Sequence, residues 1–251
     1  MNNIIKHLKL QEKYFFDNPK LENLEDDNEI KINRNIKIQI HRNQSFEFIQ
    51  KIIEKYLNFI GTKVDWIYGD YDDTLSFNNI LLSGMDIEII WLDYNKYNLN
   101  QNDFLIWLNN RIKKLISITG NPILISSSLK GDQLNINSDY LKDLERNDVN
   151  IISLKKLYEH LNDNFIDEKR AHLFGTRLTR QSQLLSGQLI SINNIYPLII
   201  PKLKALAVDL DNTLYHGILG EDGIENLILT KAHIKLQESL IELSKNGFFI
   251  T

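Results

Sequence analysis

Lys204-Ala205-Leu206-Ala207-Val208-Asp209-Leu210-Asp211-Asn212-Thr213-Leu214 is an apolar run that ends in two carboxylates one residue apart, followed by a hydroxyl. An apolar run of this length bounded by polar residues predicts a buried strand. In a parallel sheet, the residues just past the carboxyl end of a strand line the ligand crevice, so Asp209 and Asp211 are expected to face a bound substrate. Two carboxylates at this spacing can share one hard cation, and Mg²⁺ takes a few carboxylates together with phosphate oxygens. One carboxylate can also attack phosphorus while the other exchanges a proton with the leaving group. Thr213 can hold the turn or a phosphate oxygen. A calcium loop starting at Asp209 is excluded, because it needs Gly at its sixth position and Glu at its twelfth, where Leu214 and Gly220 stand.

Outward from this stretch, composition narrows the classes. The chain has 251 residues, 43% hydrophobic and 25% charged, which is ordinary for a globular protein. A formal net charge of -4 argues against a nucleic-acid-binding face, which needs clustered Lys and Arg. Cysteine is absent, so disulfides, thiolate nucleophiles and cysteine metal sites are excluded. The first ten residues carry charges where a signal peptide needs an apolar stretch, and no run approaches the ~18 apolar residues of a membrane span. A cytoplasmic protein without membrane contact is therefore expected.

Upstream, strands and helices alternate. Residues 36–40, 63–68, 87–92, 122–126 and 149–152 predict five strands. Phe46, Ile49, Ile53, Tyr56, Leu57 and Ile60 predict a helix with Ser45 as its cap, and Phe104, Leu105, Leu108, Ile112, Leu115 and Ile116 predict another, ended by Gly120-Asn121-Pro122. Such alternation predicts a parallel, doubly wound α/β sheet. Residues 1–30 form a polar N-terminal segment, 31–197 the α/β domain and 202–251 a second unit, with Pro197 and Pro201 at the boundary. Residues 162–180 are expected to be irregular, followed by a helix near 181–192.

Ala207-Val208-Asp209-Leu210-Asp211-Asn212-Thr213-Leu214, then Gly217-Ile218-Leu219-Gly220-Glu221-Asp222-Gly223 and Leu236-Gln237, resembles the start of the haloacid dehalogenase (HAD) domain of FkbH-like proteins. The resemblance implies a HAD-type fold with Asp209 as nucleophile, Asp211 as general acid/base, and Mg²⁺ held by the Asp209 side chain and the Asp211 backbone carbonyl. It also implies a flap over 215–229 that closes over the site as a short hairpin, with Gly217 beside the phosphate. Tyr215-His216-Gly217 stands where the family usually has Trp-Gly-Gly; His216 is expected to face solvent, and His233 to sit on an ordinary covering helix. The implied activity is phosphatase-like chemistry, or transfer of a glyceryl or acyl unit from a phosphorylated precursor to a carrier-protein thiol in secondary-metabolite or polysaccharide pathways. HAD enzymes also need a later Lys and acidic pair. Thr251 lies only about 40 residues beyond Asp211, while such a domain needs ~100. The expectation is an incomplete HAD unit with little turnover by itself.

The family also carries an N-terminal domain similar to SGNH hydrolases, a flavodoxin-like sheet. This chain resembles it at Tyr68-Gly69-Asp70-Tyr71 and over residues 167–179. Ser45, Asn95, Asp167 and His172 then stand near the stations of an esterase triad and its oxyanion donor, although Asn43-Gln44-Ser45 replaces Gly-Asp-Ser and Asp167 is five residues before His172. Ser45 as a helix cap and His172 as a loop histidine are the competing assignments. Arg170, Arg177 and Arg180, with Thr176 and Thr179, are candidates for a phosphopantetheine or acidic carrier-protein contact, against the alternative of a solvated face. A non-catalytic carrier-binding module is the third class.

Overall fold

Strand β1 (Arg34–Arg42) lies inside a five-stranded sheet, paired on both sides, because every second side chain on it is apolar and its neighbours are too: Ile38 is in register with Trp66 on one side and Ile87 on the other. The computed structural model describes residues 14–15, 24, 31–71, 74–77, 84–126, 149–200, 205–245 and 247–251. Two compact units divide between Ile199 and Ile200. Apart from Tyr14, Phe15 and Leu24, the N-terminal segment expected over 1–30 lies outside the described residues.

In the first unit β2 (Thr62–Tyr71), β3 (Ile87–Trp91), β4 (Ile123–Ser126) and β5 (Val149–Ile152) complete an all-parallel sheet in the order β2-β1-β3-β4-β5. This is a flavodoxin-like order, and the strand sequence reverses between β1 and β3. Adjacent side chains point to opposite faces. On β3, Ile87, Ile89 and Trp91 join one core with Ile38, Ile49 and Leu57; Ile90 joins the other with Phe104, Leu108 and Ile112. Helix α1 (Glu47–Phe59) therefore covers one face and α2 (Gln101–Thr119) the other, which makes the unit a doubly wound α/β domain.

The ends of the elements differ from the sequence expectation in ways that local chemistry explains. Ser45 does not cap α1. The residue before the helix is Phe46, and its amide is taken by the Glu47 carboxylate at 3.0 Å. Asn100 caps α2 by accepting from the Asp103 amide, and Gly120, at φ 65°, closes it before Pro122 is reached. Residues 162–180 are more ordered than expected. A single-turn 3-10 helix (Asn162–Asn164) follows α3 (Lys155–Leu161), and an antiparallel bridge between Ile166 and Leu178 encloses the short helix α4 (Arg170–Phe174). Helix α5 (Arg180–Leu189), capped by Thr179, runs into a π-helical segment (Ile190–Ile195) and then α6 (Tyr196–Ile199), past the expected end at 192 and through Pro197. No helix among the described residues is long and apolar enough to cross a membrane.

In the second unit β6 (Ala205–Leu206) pairs in parallel with β7 (Phe249–Ile250), joined by the α7 turn (Leu219–Asp222) and α8 (Lys231–Lys245). Val208 extends the ladder by donating to the Thr251 carbonyl at 2.8 Å. The expected flap is not a plain hairpin. One antiparallel bridge, His216 to Ile228, closes a segment that contains α7 and a 3-10 turn (Ile224–Asn226).

Candidate functional site

The loop after β6 bends because Asn212 adopts φ 56°, a left-handed conformation that Asn tolerates better than most residues. Its side chain and backbone then lock the bend: Asn212 Oδ1 accepts from the Gly217 amide at 3.0 Å, and the Asn212 amide donates to the Gly217 carbonyl at 3.2 Å. Gly217 has φ 116° and an added Cβ would lie 2.9 Å from Leu227 Cδ2, so only glycine fits. Thr213 lies in the turn, with its amide donating to the Leu210 carbonyl. Gln237 of α8 fixes the loop from the other side by donating to the Leu214 carbonyl at 2.7 Å.

On this frame the two carboxylates are presented differently. Asp209 is exposed and its Oδ1 accepts from the Leu210 amide at 2.9 Å. Asp211 Oδ1 accepts twice, from the Leu219 amide at 3.1 Å and from the Tyr215 hydroxyl at 2.8 Å. These donors, the Leu219 amide first and the Tyr215 hydroxyl second, hold the Asp211 carboxyl below its ordinary pKa. The same hydrogen bond, with the nearby charges of Asp211 and Asp209, raises the Tyr215 phenol. Asp209 and Asp211 thus act electrostatically on one phenol. His216 is exposed and engages Ile228 only through backbone, while His233 Nδ1 sits 3.1 Å from the Thr230 hydroxyl at the start of α8.

The donor set suits a hard cation. In each carboxylate Oδ1 is committed and Oδ2 has no hydrogen-bond partner among the described residues. No group of three or more His, Cys, Asp and Glu there stands together as a closed metal cage. Two oxygen donors with open positions are the kind of site Mg²⁺ uses together with phosphate and water.

In the first unit the crevice at the β1/β3 switch point is filled by a buried polar lattice. The Asp93 amide donates to Asn43 Oδ1 at 2.6 Å and Asn43 Nδ2 returns a bond to the Asp93 carbonyl, tying the end of β1 to the end of β3. Arg177 reaches Asp93 with two nitrogens, at 2.8 and 3.1 Å, and Glu168 with a third at 2.8 Å. Burial alone would lower the Arg177 pKa, but the hydrogen bonds and charges of Asp93 and Glu168 outweigh it and raise it. Asn95, turned so that its amide oxygen faces inward, accepts from the same guanidinium at 2.7 and 2.9 Å. Lys96 donates to the Asn43 carbonyl.

The esterase-type stations are placed as follows. The Ser45 hydroxyl pairs with the Tyr71 hydroxyl at 3.1 Å, and its amide donates to the Gly175 carbonyl. Asp167 accepts from the Lys169 amide at the start of α4. His172 is exposed on α4, and no hydrogen bond among the described residues joins it to Ser45 or Asp167. Asn95 belongs to the Arg177 lattice. The sequence carried no signal for the lattice, because Asp93 meets Arg177 across 84 positions and Asn43 meets Asp93 across 50.

No protein-family model matches the chain, and no curated protein matches it. Among solved structures it is similar to the N-terminal part of the protein BF1531 from Bacteroides fragilis, a crystal structure containing a phosphatase domain complexed with Mg, at a TM-score of 0.56 and 15% identity over 97% of this chain and 72% of that chain. At that identity the likeness establishes a shared fold: a parallel α/β sheet unit of the kind found in that phosphatase-containing protein.

Proposed function

We propose that this protein carries Mg²⁺-dependent, HAD-type phosphoryl chemistry at Asp209 and Asp211. The observation that supports it most is that Asp209 and Asp211 stand together on the turn just past β6, each with one carboxylate oxygen free of hydrogen bonds among the described residues, and with Asp211 held by Tyr215. The fold shared with a Mg-bound, phosphatase-containing protein adds support. The Asp209 side chain and the Asp211 backbone carbonyl would hold the cation, which supplies charge neutralisation to a phosphate when bound.

Asp209, exposed and backed only by the Leu210 amide, attacks the phosphorus of a small phosphate ester or acyl phosphate. The bond from phosphorus to the leaving oxygen breaks, and Asp211 gives that oxygen its proton. Water then attacks the aspartyl phosphate, Asp211 takes the proton from water, and the P–O bond to Asp209 breaks to release phosphate. The Leu219 and Tyr215 donors favour Asp211 as carboxylate, the form that accepts the proton from water. The finer reading follows the FkbH-like resemblance: the phosphorylated substrate is a three-carbon acid or its relative, the acceptor is a carrier-protein thiol, and the setting is cytoplasmic biosynthesis of a secondary metabolite or polysaccharide.

The test is covalent labelling. Incubated with acetyl phosphate and Mg²⁺, the protein is expected to gain one phosphoryl group that peptide mass mapping locates on Asp209. Asp209→Asn abolishes the label and Asp211→Asn prolongs it by slowing the attack of water. A label on another residue, or none in the wild-type protein, overturns the assignment.

A further inference from the structure

We infer that the first unit has a second, separate ligand site: a pocket for a small organic oxyanion with a short apolar stem, held by Arg170 and Arg180 beside Ser45. The pocket has a volume of about 300 Å³ and is lined by Ser45, Glu47, Phe48, Arg170, Phe174, Arg180 and Gln183. That volume is at the small end of ligand sites.

The three arginines of this region divide by what they touch. Arg177 is buried and fully paired with Asp93 and Glu168, so it holds the fold. Arg170 spends only Nε, on the Leu178 carbonyl, and lays its guanidinium 4.4 Å over the Phe174 ring. Arg180 makes no ion pair among the described residues and lies 5.6 Å from the Phe48 ring centre. Stacking on an aromatic face fixes the plane of a guanidinium while leaving its edge nitrogens free to receive an anion. Glu47, the acidic residue in the lining, is occupied: Arg42 holds it at 2.5 Å and the Phe46 amide donates to its other oxygen, which keeps its pKa low. Its charge is therefore offset by Arg42, and Arg170 and Arg180 leave the pocket positive.

The position of these groups is set by the fold. Arg170 is the first residue of α4 and Arg180 the first of α5, and the Ile166–Leu178 bridge brings the two helix starts together. Ser45 enters from the chain just past β1, held by the Gly175 carbonyl. The pocket thus lies beside the carboxyl end of β1, at the end of the sheet where open α/β sheets receive ligands. Two planar guanidiniums select a phosphate or carboxylate head, and the Phe48 and Phe174 rings select an apolar stem.

The experiment uses the whole protein carrying Asp209→Asn, with chelator present, so that the proposed phosphoryl site contributes nothing. Inorganic phosphate, butyl phosphate and butyrate are titrated by calorimetry and by amide chemical shifts. Saturable binding of butyl phosphate or butyrate is expected, with butyl phosphate tighter than inorganic phosphate. Losing both charged donors in Arg170→Ala/Arg180→Ala is expected to weaken it at least about tenfold. Arg180 is exposed and Arg170 half-buried, and an unchanged far-UV circular dichroism spectrum checks that the variant folds. Failure of both organic anions to saturate, or equal binding by the folded double variant, overturns the site.

Discussion

Arg177 and Tyr215 make opposite uses of a hydrogen-bonded charge. Arg177 is 4% exposed and pairs with a carboxylate that is equally buried, so removing the guanidinium strands Asp93 without a counter-charge. Arg177→Ala is expected to cost about 3–5 kcal/mol in urea unfolding, and Arg177→Lys to recover only part of it because an ammonium cannot reproduce the two-nitrogen contact. A loss below about 1 kcal/mol would contradict this. Tyr215 instead tunes a half-buried carboxylate on a surface turn. In Tyr215→Phe the Asp211 titration, followed by its carboxyl carbon shift, is expected to move upward because one of the two donors that favour the charged form is gone. Under the proposed mechanism, the acid side of any pH–rate profile moves to higher pH with it. An unmoved Asp211 titration would show that the Leu219 amide alone sets it. At this scale the sequence singled out Asp209 and Asp211 through the apolar run before them, which forms a two-residue exposed strand and not the expected buried one, and Tyr215 as a departure from the FkbH-like pattern it resembles. Asn43, Asp93 and Glu168 were not legible, since each is an ordinary polar residue until the fold brings Asn43 to Asp93 and both carboxylates to Arg177.

Elements were easier to read than their ends. The periods of apolar residues gave all five strands of the first unit and its helices over 47–59 and 101–119, because burial on one face imposes that pattern. The short helix α4 was missed, as five residues offer too little periodicity. The path of α5 was misjudged because its packing depends on a close approach. An added Cβ at Gly187 would lie 2.6 Å from Ile52 of α1, and Ser191 bonds back to the Gly187 carbonyl at 2.7 Å as the π-helical segment begins. Gly187→Ala is therefore expected to destabilise the first unit by about 1–3 kcal/mol in spite of the better helix propensity of alanine. A gain in denaturation midpoint would mean that α1 and α5 have room to separate.

Across the whole molecule, the two units differ in how much apolar surface they bury. The first contains two large cores on either face of its sheet, whereas Leu240 is the one buried hydrophobic side chain of the second among the described residues. Hydrogen exchange should reflect this: amides of β1, β3 and β4 exchange only with global unfolding, and those of β6, β7 and α8 exchange faster by orders of magnitude. Equal protection in the two units would show that the second gains stability from something other than its own core. The sequence set a boundary at Pro197 and Pro201 with an apolar run after them, whereas Pro197 lies within α6, and the shallow packing of the second unit could not be read from an apolar pattern that looks the same buried or exposed. Under the proposed function, Asp209 and Asp211 of the second unit gather a divalent cation. The Leu210 and Leu219 amides donate to those two carboxylates and report on them directly. In a Mg²⁺ titration followed by ¹H–¹⁵N chemical shifts, both amides are predicted to move along one saturating curve in the wild-type protein and to stay still in Asp209→Asn; no movement, or the same movement in the variant, would contradict the account.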